Sequence, residues 1–355
     1  MHSNPPTDKT GSCPDCAAVS RREFIRTTTG AIGAVGALGV VGLPRRAQAA
    51  GAAAPAAGRS SETLVAQLYG SLREEQKKAI CFPFDHELRL KVDNNWQITP
   101  KSIGEILNPD QQALVKDIFM GIHSEEYAPK VYDQVEHDGG GKGTFNKECA
   151  VALFGQPDSS GSGEKSKFEF VLTGRHCTRR CDGNSVAGAA FGGPIFYGHA
   201  AESFNESATH PGDAYWFQAL RANEVFKALD GKQRKLALRS DPRKEQGTQT
   251  VSLTGKKQGL AGVPLTELSA DQKDLVRKVM ADLLAPFRKA DADEAMKLVE
   301  AGGFDNLHMA FYKNMDIGQD GVWDVWQLEG PAMLWYFRGA PHVHTWVNIR
   351  EPGVG

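Results

Sequence analysis

Apolar residues recur at helical spacing soon after residue 60 of the 355-residue chain. Leu64, Leu68 and Leu72 fall on one helix face, because positions three or four apart coincide on a helix. Ser61 stands where an N-cap serine is favoured, so the pattern predicts a helix from Ser61 to about Ala79. The same spacing predicts five further helices, which begin at Asn108-Pro109 or cover residues 125–135, 215–229, 269–284 and 292–299.

An alternating pattern replaces the helical one after the glycine loop at 139–141. Phe168, Phe170 and Leu172 alternate with polar or smaller residues, which is typical of a strand. The glycine-rich stretch 185–197 is predicted as a second extended segment. Strand patterns also close the chain, over residues 307–312, 322–328, 333–337 and 343–349.

The order of these elements repeats, since helices precede strands in each half of the chain. Three pairs of similar segments are separated by nearly equal offsets of 156, 157 and 161 residues. They are 168–174 with 324–330, 75–76 with 232–233, and 107–111 with 268–272. Such regular self-similarity indicates an internal duplication. We therefore predict an α+β fold whose two similar halves, 61–210 and 211–355, are related by a pseudo-twofold, with strands central and helices outside.

The N-terminus has the three parts of an export signal. The pair Arg21-Arg22 precedes an uncharged stretch over 27–43, and the small-x-small sequence Ala47-Gln48-Ala49 follows. Paired arginines at this place are typical of a twin-arginine signal, which implies the twin-arginine export machinery as a partner. The sequence predicts a signal peptide at 1–49, a linker at 50–60, and a mature protein in the periplasm or secreted after cleavage near Ala49.

Charge limits the class of further partners. The formal net charge is −2, and residues 1–49 carry six basic and three acidic residues, so the mature protein carries about −5. Such a mildly acidic chain offers no basic field suited to nucleic acid. The stretch 27–43 is too rich in glycine for a stable membrane span, and we expect a soluble protein that binds a small-molecule substrate or ligand.

Four cysteines remain after residue 49, namely Cys81, Cys149, Cys177 and Cys181. An even number in an oxidising compartment suggests disulfides, and the sequence leaves all three pairings open. Cys177 and Cys181 flank three residues beside His176, so they could form a disulfide clip across a hairpin. Cys177 could alternatively be a metal ligand or a nucleophile.

The most specific chemical signal is the pair His342 and His344 in the last predicted strand. Alternate residues of a strand point the same way, about 6.5–7 Å apart along the chain, so both imidazoles can converge on one ion. Such pairs bind zinc, copper or iron, and a third ligand is needed. His176 is the first choice for that ligand, with His199 and His308 as alternatives. We thus predict a divalent transition metal held by His342, His344 and His176.

Four short motifs extend over nearly all of the mature chain. They are Leu72–Lys77, Thr173–His176, Gly193–Gly198, and Leu328–Pro331 with His342–Trp346. Together they resemble a bacterial exported family catalogued as domain of unknown function 3500. That family often has two histidines after the glycine, whereas Arg175 takes the first of these places here. The resemblance implies the α+β architecture and a role for the His-x-His pair, but it supplies no reaction.

Function classes remain open at this stage. The leading hypothesis is an exported metal-dependent enzyme, an oxidoreductase or a hydrolase, whose catalytic residues are unassigned. Its metal would activate water or dioxygen, and Arg338 and Arg350 could orient an anionic or oxygen-bearing substrate. The alternative is a non-catalytic periplasmic protein that binds a metal or small ligand between its halves, and a third is a structural protein with a histidine-lined core. Tryptophans of the final strands belong to the core or form a ligand platform, namely Trp323, Trp326, Trp335 and Trp346.

Overall fold

The structure is a computed structural model that describes most of the chain after residue 59. The described residues are 60–159, 166–199, 214–313, 321–339 and 341–353. The predicted signal peptide at 1–49 and nearly all of the predicted linker lie outside them. Residues from Ser60 onward form one compact unit.

Ten α-helices lie within the described residues. They are α1 (Ser61–Ser71), α2 (Glu74–Ile80), α3 (Ile103–Ile106), α4 (Pro109–Gly121), α5 (Ala128–Asp138), α6 (Phe145–Glu148), α7 (Trp216–Ala228), α8 (Gly231–Ala237), α9 (Ala270–Leu284) and α10 (Lys289–Gly302). The predicted helix from Ser61 to Ala79 is two helices, because Leu72 and Arg73 have extended backbones. Its N-cap is Ser60 rather than Ser61, since the Ser60 hydroxyl accepts from the Thr63 amide at 3.4 Å.

Eleven strands form a single sheet in this part of the chain. They are β1 (Cys81–Phe82), β2 (Ala150–Gly155), β3 (Phe168–Gly174), β4 (Cys177–Cys181), β5 (Ile195–His199), β6 (Leu238–Arg239), β7 (Val263–Pro264), β8 (His308–Tyr312), β9 (Val325–Glu329), β10 (Met333–Arg338) and β11 (Val343–Ile349). The order across the sheet is β1-β2-β3-β4-β5-β11-β10-β9-β8-β6, and β7 also pairs with β8. Only the β1–β2 and β6–β8 pairs are parallel among these strands.

The two faces of the sheet are covered differently. The larger apolar core lies between one face and the helices, and Val343, Val347 and Ile349 of β11 point into it. Trp346, on the opposite face of β11, packs with residues of the connecting segments such as Val92 and Val251. The second face is therefore closed by loops, and His344 and Trp346, two positions apart, share it.

The predicted mixed α+β class with a central sheet and flanking helices is confirmed. The predicted extended segment over 185–197 is short, because only its end belongs to β5. Three of the four tryptophans that could have formed a ligand platform are fully buried, namely Trp326, Trp335 and Trp346. Within the described part of the chain, no helix combines the length and the apolarity that a membrane crossing requires.

The disulfide clip between Cys177 and Cys181 is wrong. The two cysteines stand at opposite ends of the five-residue strand β4, where Cys177 pairs with Gly174 and Cys181 with Phe170. Four residues of strand span about 13 Å, whereas a disulfide needs Cα atoms within about 7 Å. All four cysteines of the described residues are free thiols. Burial raises the pKa of Cys177 to about 11, which also argues against a nucleophilic thiolate there.

Candidate metal centre

His342 and His344 lie at the start of β11 and point to the same side of the sheet. His342 directly precedes the strand, and His344 pairs in register with Gly198 on β5 and with Arg338 on β10. Both imidazoles are buried, with exposed fractions of 5% and 0% for the two residues. The period of two along the strand thus brings the two rings together, with their Nε2 atoms 3.0 Å apart.

His176 reaches the same point from the turn between β3 and β4. Gly174 pairs with Cys177, so that Arg175 and His176 form the two-residue turn. His176 has a φ of 53°, in the left-handed region that non-glycine residues seldom adopt. Its amide donates to the Asn94 carbonyl oxygen at 2.7 Å, which helps to hold this backbone conformation.

The three Nε2 atoms form a nearly equilateral triangle. Nε2 of His176 is 3.1 Å from Nε2 of His342 and 3.1 Å from Nε2 of His344. The centre of such a triangle lies about 1.8 Å from each nitrogen, so an ion at the usual distance of about 2.0–2.1 Å fits just outside its plane. These three histidines are the group within the described residues whose donor atoms could jointly hold a metal ion.

Carboxylates support two of the rings from behind. Nδ1 of His176 lies 2.9 Å from Oδ2 of Asp138, the last residue of α5. Nδ1 of His344 lies 2.7 Å from Oε2 of Glu245, which belongs to the segment after β6. A carboxylate accepts only from a protonated Nδ1, and a neutral imidazole with that tautomer presents its Nε2 lone pair. The network therefore turns the lone pairs of His176 and His344 toward the centre of the triangle.

Arg338 competes with Glu245 for the same ring nitrogen. Its Nη2 is 2.6 Å from Nδ1 of His344, and its Nε is 3.0 Å from Oε1 of Glu245. Both the guanidinium and a protonated Nδ1 are donors, so they cannot bond to each other. We favour the tautomer in which His344 donates to Glu245, because Arg338 then forms an ion pair with the same carboxylate. Arg338, which the sequence predicted to orient a substrate, thus lies against His344 and Glu245 in the structure.

Burial and neighbouring charges keep His342 and His344 neutral. Burial first, and then the charges of neighbouring groups, lower the pKa of His342 to about 2. The same causes hold the pKa of His344 well below its ordinary value, with Arg338 the largest charged contributor. Neutral imidazoles are the form that binds metal ions, so these two side chains need lose no proton to bind one at neutral pH.

Glycine is required beside the cluster at Gly198. A Cβ built there would overlap the Val343 carbonyl oxygen and approach Cδ2 of His176 to 3.3 Å. A side chain at this position would therefore push the β5–β11 pair apart or displace the His176 ring.

The remaining sequence candidates lie elsewhere. His199 is buried on β5 opposite Val343, close enough to lower the pKa of His342, but it is not one of the three converging rings. His308 lies on β8, three strands away, with its Nδ1 3.2 Å from the Asn306 carbonyl oxygen. Arg350 follows the far end of β11, about 20 Å along the strand from His344, so the structure does not bring it to the triad. Sequence analysis missed Asp138 and Glu245, which no local pattern marks.

The fold and the cluster together define an α+β protein with one central sheet and a buried triad of histidines able to hold a metal ion. Residues 57–353 match the family described as "Protein of unknown function (DUF3500)", and the chain belongs to that family. No similar curated protein and no similar solved structure was found.

Proposed function

We propose that the protein binds a divalent transition metal through His176, His342 and His344 and acts as a metal-dependent enzyme, an oxidoreductase or a hydrolase. The observation that carries the proposal is the convergence of three buried Nε2 atoms within 3.1 Å of one another. Without a cation at their centre, at least two lone pairs would face each other at this distance in a medium of low dielectric constant. A cation bound at the centre would accept all three lone pairs and remove this repulsion.

The donor set narrows the choice of metal. Three imidazole nitrogens suit zinc, copper or iron, whereas calcium and magnesium prefer oxygen ligands. The carboxylates of Asp138 and Glu245 orient the rings, as they do around histidine-bound metals generally. A metal with three protein ligands keeps positions for other molecules, where it supplies a Lewis acid or a redox centre to bound water or dioxygen.

Metal analysis of the mature protein tests this proposal. We expect about one ion per chain, lost in both His342→Ala and His344→Ala. His308→Ala is the matched control, because it removes a buried histidine from the same sheet outside the cluster. Wild-type protein should also be purified or refolded with zinc, copper or iron supplied in turn. If it contains no metal in any of these preparations, the proposal is overturned.

The burial of the triad favours one alternative, a non-catalytic protein that binds the metal or a small ligand. His176, His342 and His344 are only 2%, 5% and 0% exposed, respectively, and this burial restricts the access of a substrate. Cobalt(II) substitution separates the two functions. Changes in the visible spectrum on addition of azide or peroxide support an enzyme with open coordination positions, and an unresponsive spectrum supports the binding protein.

We further propose that the protein is exported through the twin-arginine pathway and works in the periplasm or outside the cell. The proposal rests on Arg21-Arg22, the uncharged stretch after it and the cleavage sequence at Ala47-Gln48-Ala49. This pathway carries folded proteins, so a metal could be inserted before export. Replacing Arg21 and Arg22 by lysine should leave the uncleaved precursor in the cytoplasm. Normal processing and export of that variant would contradict this route.

We infer that the chain is an internal duplication with pseudo-twofold symmetry. Support comes from the strand order, because each half contributes four consecutive antiparallel strands, β2 to β5 and β8 to β11, which meet at the central β5–β11 pair. Each half ends at the sheet edge in a short parallel strand, β1 or β6. Support also comes from a repeated contact, in which Gln76 is bonded to Gln111 at 2.8 Å and Gln233 to Gln272 at 2.9 Å. In an experimental structure, residues 61–199 should superpose on 216–349, and failure to do so would refute the duplication.

A further inference from the structure

Arg175 is a cation at the edge of the triad, and no acidic group among the described residues is paired with it. It precedes the ligand His176 in the β3–β4 turn and is half-buried. Its Nε is shielded from solvent and has no hydrogen-bond partner within the part of the chain that the structure describes. No carboxylate or carbonyl oxygen in the described ranges is bonded to its guanidinium. By contrast, Arg338 is paired with Glu245, so it has little freedom to bind a ligand.

The guanidinium of Arg175 lies close enough to the cluster to act on it electrically. Its positive charge is among the causes that lower the pKa of both His342 and His344. Arg175 therefore lies within electrostatic range of the two rings of β11, and it directly precedes the ligand His176 in the β3–β4 turn. A guanidinium is a planar fork of donors that matches a carboxylate.

Charge balance shows what the filled centre lacks. A divalent ion with Arg175 and Arg338 brings four positive charges, and Asp138 and Glu245 bring two negative ones. Among the described groups that touch or act on the triad, two positive charges therefore remain in a largely buried region. Uncompensated buried charge is strongly unfavourable, so the loaded centre should recruit an anion.

We propose that the centre takes a substrate or ligand of the carboxylate class, and that Arg175 anchors its anionic group beside the three histidines. This inference rests on the proposed metal site and adds to it the chemical class of the ligand. The sequence hypothesis gave this role to Arg338 and Arg350, of which one is engaged in an ion pair and the other is distant. Arg175 is thus the guanidinium positioned for recognition.

Titration of the cobalt(II)-loaded protein with acetate tests the inference, with acetamide as the neutral molecule of the same shape. We expect Arg175→Gln to bind acetate about tenfold or more weakly than the wild type, because it loses a charge-assisted hydrogen bond. Acetamide binding should not change. Arg175→Lys keeps the charge without the fork and should show a smaller loss. Arg277→Gln, an exposed arginine of α9 paired with Glu300, is the matched control.

The outcomes separate this inference from the proposed function. If the wild-type protein binds no cobalt, the metal site is wrong and the inference falls with it. If Arg175→Gln binds cobalt normally and acetate as tightly as the wild type does, the inference alone is overturned. Should Arg175→Gln not fold, the Arg175→Lys titration decides, and unchanged acetate affinity in that variant would refute the role of the fork.

Discussion

Asp138→Asn is the substitution that tests most directly how the ligand His176 is held. The change keeps the shape of a side chain that is 1% exposed and removes its charge. In the native protein, Oδ2 of Asp138 accepts from Nδ1 of His176 at 2.9 Å, and Oδ1 accepts from Nε2 of Gln134 at 3.0 Å. At least two donors of the described residues therefore point at one carboxylate, and an amide with one acceptor group and one donor group cannot satisfy both in the same way.

Each orientation of the new amide has a consequence. If its NH2 group faces His176, the ring must accept at Nδ1, and its proton moves to Nε2, where the metal would bind. If its oxygen faces His176, its NH2 group confronts the NH2 group of Gln134, whose side chain must turn over. Oε1 of Gln134, a buried atom that lacks a partner among the described residues, would then accept, while its NH2 group becomes the unsatisfied one.

The expected loss is about 10–100-fold in metal affinity, which is the usual effect of removing a carboxylate that supports a histidine ligand. That range corresponds to about 1.4–2.7 kcal/mol. At a fixed metal concentration well above both dissociation constants, the stabilisation by metal falls by the same amount. Competition with a chelator of known affinity measures the loss. Metal raises the thermal midpoint above that of the chelated protein, and this rise should be several degrees smaller in Asp138→Asn than in the wild type.

Asp133→Asn is the control, because it removes an exposed carboxylate from the same helix, α5. Equal metal affinities in Asp138→Asn and Asp133→Asn would refute the reasoning. The orientation argument has its own test in the double variant Gln134→Leu with Asp138→Asn. Without the Gln134 donor, the amide oxygen can face His176 freely, so part of the lost affinity should return.

Three further predictions follow from other parts of the structure. Burial and the charge of Arg179 lower the pKa of His123 to about 3. When the pH falls from 6.5 to 4.5, His123 is therefore protonated in the unfolded chain but stays neutral in the folded protein. Urea unfolding should therefore show that wild-type protein loses about 2 kcal/mol more stability over this range than His123→Gln, and equal losses would contradict it. Gln76→Ala and Gln233→Ala should destabilise the fold by similar amounts, about 1–3 kcal/mol, if the two halves are equivalent; a large difference in urea midpoints would count against the duplication. Gly198→Ala should weaken metal binding by displacing the His176 ring, and unchanged metal content and affinity would disprove the close approach.

Features that depend on neighbouring residues were predictable from the sequence. The helices predicted to begin at Asn108-Pro109 and at residue 269 do so, and the side-chain oxygens of Asn108 and Ser269 each accept from the backbone amide three residues later. His342 and His344 converge because the period of a strand alone determines that they share a face. The sequence also favoured His176 as the third histidine, although only through its place at the end of β3.

Features that depend on distant partners were not predictable in this way. The strand β4 reads as polar in sequence, yet all five of its residues are buried. Arg180 is satisfied by Glu169 on the neighbouring strand at 2.5 Å, and Arg179 by His123, which lies 56 positions away. The carboxylates behind the ligands are just as remote, since Asp138 is 38 positions from His176 and Glu245 is 99 positions from His344. Pairs of side chains this far apart in the sequence cannot be predicted from the periodicity of a single segment.

The conformation of His176 bears on whether the triad is only a structural core. A left-handed backbone at a residue with a Cβ costs about 1–2 kcal/mol, which glycine at the same turn position would avoid. Stability alone would therefore favour glycine here, together with an apolar core in place of three facing nitrogens. The chain instead fixes the strained residue with a backbone hydrogen bond and a buried carboxylate, so that its Nε2 points at two others. Strain maintained by dedicated partners is typical of a functional site, and here it positions three ring nitrogens that could hold a metal ion.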